Sequence, residues 1–163
     1  MNARDAIKAT FATPDMICRT YLKDLTDADL LVRPVPKANH IAWQLGHLIA
    51  SEHEFVKELV PSLATPLPAD FAAKHKKETA VSDNPKDFYT KDEYLKLYDQ
   101  VRAATLKAVD TVNESDFDKP GPEKFRDFCP TVASVLMLAP SHWLMHAGQW
   151  AIVRRKLGKP PLF

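Results

Sequence analysis

Apolar residues recur along this chain at steps of three and four over four long stretches, the period of amphipathic helices. The first stretch runs from Ala3 to Leu25 and carries Ile7, Phe11, Cys18, Tyr21, Leu22 and Leu25 on one stripe. Pro14 falls inside it, so either the helix kinks there or Thr13 caps a second helix with Pro14 at its first position; because the stripe stays in phase across the proline, one kinked helix is the favoured reading. The second begins near Asn39, read as its N-cap, and carries Ile41, Leu45, Leu48, Phe55 and Leu59 until Pro61 stops it. Beside that stripe lies a polar set at the same steps: His40, Gln44, His47, Ser51 and Glu54. Thr90 and Glu93 form a capping box for the third helix, which turns Tyr94, Leu97, Val101, Ala104, Ala108 and Val112 inward. The fourth starts at a Thr131 cap, and its stripe runs through Val135, Leu138, Val153 and Leu157. Pro140 is expected to kink it. Arg154, Arg155 and Lys156 suit the dipole of its last turn, and Gly158 follows as the residue that ends it.

Residues 61 to 90 are the least regular part, broken by prolines at 61, 66, 68 and 85, with DFAAKHKKE able to form a short helix. A connection this long is uncommon in a compact domain. Between two parallel neighbours of a helix bundle it is the natural crossover, since a short loop forces antiparallel packing. A second loop spans residues 113 to 130. The pattern therefore predicts an all-α single domain over residues 1–163, a four-helix bundle with a long crossover between its second and third helices.

The fourth stripe carries a chemical anomaly. His142 and His146 lie one turn apart on one helix face, with Gln149 following, where leucine or valine would be the ordinary core choice. Buried polar groups need partners, and a metal ion is one such partner. The spacing HxxxH is common, and a hydrogen-bonded core histidine explains it as well. Position 143 is Trp, so the glutamate of HExxH is missing, which argues against a zincin protease. A third ligand must come from another helix, and His47, midway along the second and partly inward, is the best placed. Three neutral imidazoles leave positions open for water, as in catalytic sites, and suit zinc, nickel or ferrous iron. Glu52 or Glu54 in place of one histidine is the alternative, a set suited to iron. Gln149 reads either as a support for the ligands or as a surface amide. His40 is expected to face a loop or solvent, His53 to be exposed, and His75 to lie in a lysine-rich surface segment. Trp43, Trp143 and Trp150 read mainly as core. No residue is singled out as catalytic by its position alone.

Composition narrows the partners. With 22 basic and 21 acidic side chains in 163 residues, the net charge is +1, which leaves no electrostatic footprint for nucleic acid or an anionic membrane. Glycine is scarce at 4 and proline abundant at 13, in keeping with helices punctuated by prolines. Cys18 and Cys129 lack metal or redox spacing and read as buried thiols in a reducing compartment. The N-terminus has no apolar core of a signal peptide, and no run approaches the roughly 18 apolar residues of a membrane span. A cytoplasmic location is the default expectation.

The segments RPVPKANHIAWQLGHLIASEHE and, about ninety residues on, SHWLMHAGQWAIVRRKLG together resemble the DinB-like superfamily of metalloenzymes. The resemblance spans most of the chain and leaves the two loops uncovered. It implies a four-helix bundle of up-down-down-up topology with a three-histidine metal site. His47 matches the family's GHL-type motif, and His142 and His146 its HxxxHxGQ-type motif. It further implies a small-molecule substrate, a homodimer, and, by likeness to some members, transfer of a low-molecular-weight thiol such as bacillithiol or mycothiol. A DNA-binding role is not implied. Metal-dependent hydrolysis and a non-catalytic metal- or ligand-binding bundle are the other readings the residues allow.

Overall fold

The computed structural model describes all residues, Met1 to Phe163, and it is all-helical, with no strand and a single isolated bridge between Pro120 and Thr131. The first predicted helix is two: α1 covers Ala3–Ala9 and α2 covers Ala12–Leu22. Pro14 becomes the third residue of α2, inside the first turn, where a missing N–H breaks no intrahelical bond. The chain restarts its helix just ahead of the proline instead of kinking at it. Thr10 and Phe11 stay in the right-handed helical region through the break, so the stripe keeps its phase. Ile7, Phe11, Cys18, Leu22 and Leu25 are all buried.

A short turn, α3 (Asp27–Leu30), is closed by a Thr26–Asp29 capping box. The next long helix, α4, spans Ile41–Leu59. Its N-cap is His40, not Asn39, because the His40 imidazole accepts the Trp43 N–H at 3.1 Å and so fills the place a serine or asparagine oxygen usually takes. The connection that follows holds α5 (Phe71–Lys74) within the predicted DFAAKHKKE segment, flanked by single 3₁₀ turns. Then α6 (Lys91–Thr111) opens on the predicted Thr90–Glu93 capping box. The last helix, α7 (Val132–Lys156), opens on Thr131 and Ser134 and runs continuously through Pro140. Gly158, at a φ of 70°, takes the left-handed turn beyond its end that a side chain would resist.

The main core gathers Leu22, Leu45, Leu48, Tyr94, Trp143 and Trp150 around the first half of α4. A second cluster at the other end joins Ile7, Phe55, Val109, Phe125 and Val135. Polar pairs tie the helices together between these clusters. Lys8 meets Asp110 at 2.8 Å and Arg19 meets Asp99 at 2.6 Å on the surface. Arg102 of α6 meets Glu52 of α4 at 2.8 Å in the interior. No helix is long and apolar enough to cross a membrane.

Candidate metal centre

The first half of α4 and the middle of α7 face each other, and each turns one polar residue per turn toward the other. His47 on α4 meets His142 and His146 on α7, and one ring nitrogen from each of the three lies within 4.8 Å of the other two. Nε2 of His47 and Nε2 of His142 stand 3.3 Å apart. Two nitrogens bound at 2.0–2.1 Å to one tetrahedral ion stand roughly 3.3 Å apart, so His47 and His142 already have the spacing of two ligands of one ion.

The orientation of His146 follows from its neighbours. Trp150 can only donate through its indole nitrogen, so the Gln44 atom that receives it at 2.9 Å is the carbonyl oxygen. His146 Nδ1 lies 2.9 Å from the same oxygen and therefore carries a proton, which leaves its Nε2 lone pair free for a ligand role. The Gln44 amide nitrogen donates onward to the Asn39 carbonyl at 2.6 Å and to the Gln149 side chain at 3.1 Å. The sequence left Gln149 open as either a support for the ligands or a surface amide. Gln149 is exposed and reaches the histidines only through Gln44, which is fully buried. The signal for Gln44 was present in its place one turn before His47 in the polar set of the second helix. His47 itself lies under the Trp43 indole, nearly parallel at 7° with ring centres 5.0 Å apart.

Electrostatics favour neutral imidazoles. Burial pushes the pKa of His142 and His146 down to about 4, helped by the neighbouring rings, and burial alone lowers that of His47. All three thus present lone pairs at neutral pH, the form that binds a metal.

The other sequence candidates part from this cluster. Glu52 is buried with Arg102 and accepts the Trp143 indole N–H at 2.7 Å, so every direction it faces is occupied. Glu54 lies on the outer side of α4, paired with Lys124 at 2.7 Å and Lys57 at 3.3 Å, with a pKa held below the usual carboxylate range by the Lys124 bond. His40, expected near solvent, is wholly buried because its ring caps α4 and its Nε2 bonds the Ser82 carbonyl at 3.0 Å. His53, expected to be exposed, is half-buried. His75, expected on the surface, packs inside with Nδ1 at 2.7 Å from the Phe71 carbonyl and Nε2 at 2.7 Å from the Tyr94 hydroxyl. Its lysine neighbours gave no hint of that. It sits against Gly46, where a Cβ would come within 2.0 Å of the imidazole. Cys18 and Cys129 are both free and buried, and burial pushes the Cys18 thiol up to about 12, far from reactive.

A cleft of about 480 Å³ opens beside the cluster, with His47 and His142 on its wall and otherwise mainly apolar sides. A few polar groups, the histidines with Ser51, Glu54 and Lys124, thus stand in a mainly apolar recess, the usual make-up of a small-molecule site.

Comparison with known proteins places this arrangement. A family model described as the DinB superfamily matches residues 16–150. No curated protein sequence matches the chain. Among solved structures, a conserved protein from Enterococcus faecalis superposes with a TM-score of 0.70 at 18% identity, over 98% of this chain and 99% of that one. At that identity the likeness shows a shared fold.

Proposed function

We propose, from the premise that this chain belongs to the DinB superfamily, that His47, His142 and His146 hold one divalent metal ion for a thiol-transfer reaction. The observation that carries the proposal is three neutral imidazoles converging within 4.8 Å, two of them, His47 and His142, on the wall of a mainly apolar cleft. Zinc, nickel and ferrous iron all suit such a set. A divalent ion there supplies a Lewis acid with open positions, lowering the pKa of a thiol or water that it binds. The protein's own groups do the positioning. Gln44 keeps the His146 proton on Nδ1, and Trp43 holds the plane of the His47 ring.

Transfer of a low-molecular-weight thiol to an electrophile is favoured over hydrolysis by the state of the nearby acids and bases. A hydrolase needs a proton acceptor beside its water. Glu54, the one carboxylate lining the cleft, is held by two lysines and is a weakened base, and His40 is buried as a helix cap. A thiol, with an ordinary pKa near 8.5, needs only modest help to ionise at neutral pH.

The same reading takes the long helices as an up-down-down-up four-helix bundle. In support, Gly46 meets His75 beside Tyr94 and Glu52 meets Arg102, so α4 and α6 advance in step. Gln44 meets Gln149 and Glu52 meets Trp143, so α4 and α7 run opposed. A homodimer is supported by Met137, Leu144 and Ile152, apolar and exposed along one side of α7, and light scattering measures it directly. Two free buried thiols agree with a cytoplasmic setting.

Elemental analysis should find about one equivalent of metal in purified protein, and His142→Ala should lose it. Wild-type protein that neither carries nor takes up zinc, nickel or iron would overturn the site. Metal-loaded protein should then turn over a model electrophile with at least one biological thiol. Hydrolysis of esters or amides without thiol, and no thiol turnover, would replace the reaction while keeping the site.

A further inference from the structure

The cleft beside the histidines has three sides from three parts of the chain. Its α4 side carries Phe55 and Glu54, its α7 side carries Leu138 and Met145, and its third side is the loop before α7. That loop is one of the two segments without recognisable family motifs in the sequence. It brings Phe125 edge-on to Phe55 at 84° with ring centres 5.0 Å apart, and Phe128 edge-on to Phe125 at 6.0 Å. Phe125 is buried by this packing, whereas Phe128 is 62% exposed and Met145 61% exposed at the rim.

Two features choose the occupant. The recess has six apolar residues in its lining with His47 and His142 on its wall, and at about 480 Å³ it falls in the range of small-molecule sites. Glu54 and Lys124, the two oppositely charged side chains lining it, pair with each other at 2.7 Å, so the cleft's own side chains offer no unpaired charge to a carboxylate or an ammonium group. Aromatic edges and a thioether offer the contacts that a flat aromatic ring makes best.

We propose that this cleft binds a neutral aromatic small molecule, with Phe128 setting its specificity; that this molecule is the acceptor of the thiol rests on the transferase reading above. Binding itself needs neither metal nor turnover, and this separates the two ideas.

The test titrates the full-length protein, metal-loaded and chelator-treated, with the neutral fluorophore N-phenyl-1-naphthylamine and with its sulfonated analogue 8-anilinonaphthalene-1-sulfonate. The neutral dye should bind one per chain in both forms, and the metal-free form should bind the sulfonate roughly tenfold or more weakly, the order of one unmatched charge. Phe128→Ala, an exposed site whose loss leaves the core intact, should weaken the neutral dye about tenfold, as truncation of an aromatic contact does. Glu54→Gln frees Lys124 and should tighten the sulfonate while leaving the neutral dye alone. Equal or tighter binding of the sulfonate by metal-free wild type, or neutral-dye affinity indifferent to Phe128→Ala, overturns the proposal. So does dye binding that is lost on protein self-association, which would make the cleft an interface between copies. Dye binding without thiol turnover leaves the cleft standing and removes the transferase; turnover without dye binding does the reverse.

Discussion

Gln44 Oε1 is the common acceptor for His146 Nδ1 and Trp150 Nε1, and replacing Gln44 with leucine strips both donors of their partner in a buried setting. A buried donor left unpaired costs about 1–3 kcal/mol, and loss of a group that orients a metal ligand typically weakens metal affinity 10–100-fold. Gln44→Leu should therefore lose both stability and metal affinity, whereas Gln149→Ala, exposed and one step further out, should change either little. A competition titration with a zinc chelator and a urea melt of each variant check this. Gly46 makes a second residue-scale case. A methyl there would lie 2.0 Å from the His75 ring, which is held from both sides by Phe71 and Tyr94. Overpacking of this kind costs about 1–3 kcal/mol. Gly46→Ala should destabilise the fold by that order, and adding His75→Ala should relieve the clash, giving a non-additive double-mutant cycle.

Among the elements, α4 and α7 determine the centre by their register, and Glu52 helps hold it. Its carboxylate joins Arg102 of α6 at 2.8 Å and the Trp143 indole of α7 at 2.7 Å, so three helices meet at one buried group. Breaking a buried ion pair by removing one partner costs about 3–5 kcal/mol, because the other charge is stranded. Glu52→Leu should show that loss, and Glu52→Leu combined with Arg102→Leu should recover part of it. Urea melts of the single and double variants measure the difference. The elements were largely legible. Capping boxes at Thr90 and Thr131 stand where their local chemistry puts them, because a cap depends on residues three apart. The failure at α1 and α2 is instructive. Pro14 marked a break correctly, but whether a chain kinks at a proline or restarts a turn earlier depends on how Thr10 and Phe11 satisfy the last carbonyls, and periodicity does not register that.

For the whole molecule, buried neutral histidines make stability depend on pH. Burial brings the His75 pKa from about 6.5 down to about 4. Between those values the unfolded chain binds more protons than the folded one, so the contribution is complete above pH 6.5 and erodes as pH falls toward 4. At about 1.4 kcal/mol per pH unit, the group accounts for ~3 kcal/mol over that window. Metal-free protein should lose stability steadily from pH 7 to pH 4, and His75→Gln, which does not titrate, should flatten the curve; denaturant melts at stepped pH give the comparison.

The helical class, the punctuation by proline and the three histidines on two helices were determined by the sequence alone, since each rests on spacing within one stretch or on the chemistry of single residues. Which polar residue stands behind which depended on the tertiary structure. Gln44 rather than Gln149 meets His146, Glu52 is consumed by Arg102 and Trp143, and His40 and His75 are interior because segments far away in the chain supply their partners. A hydrogen bond is settled by a few tenths of an ångström and by direction, and residues a hundred positions apart acquire both only when the helices dock.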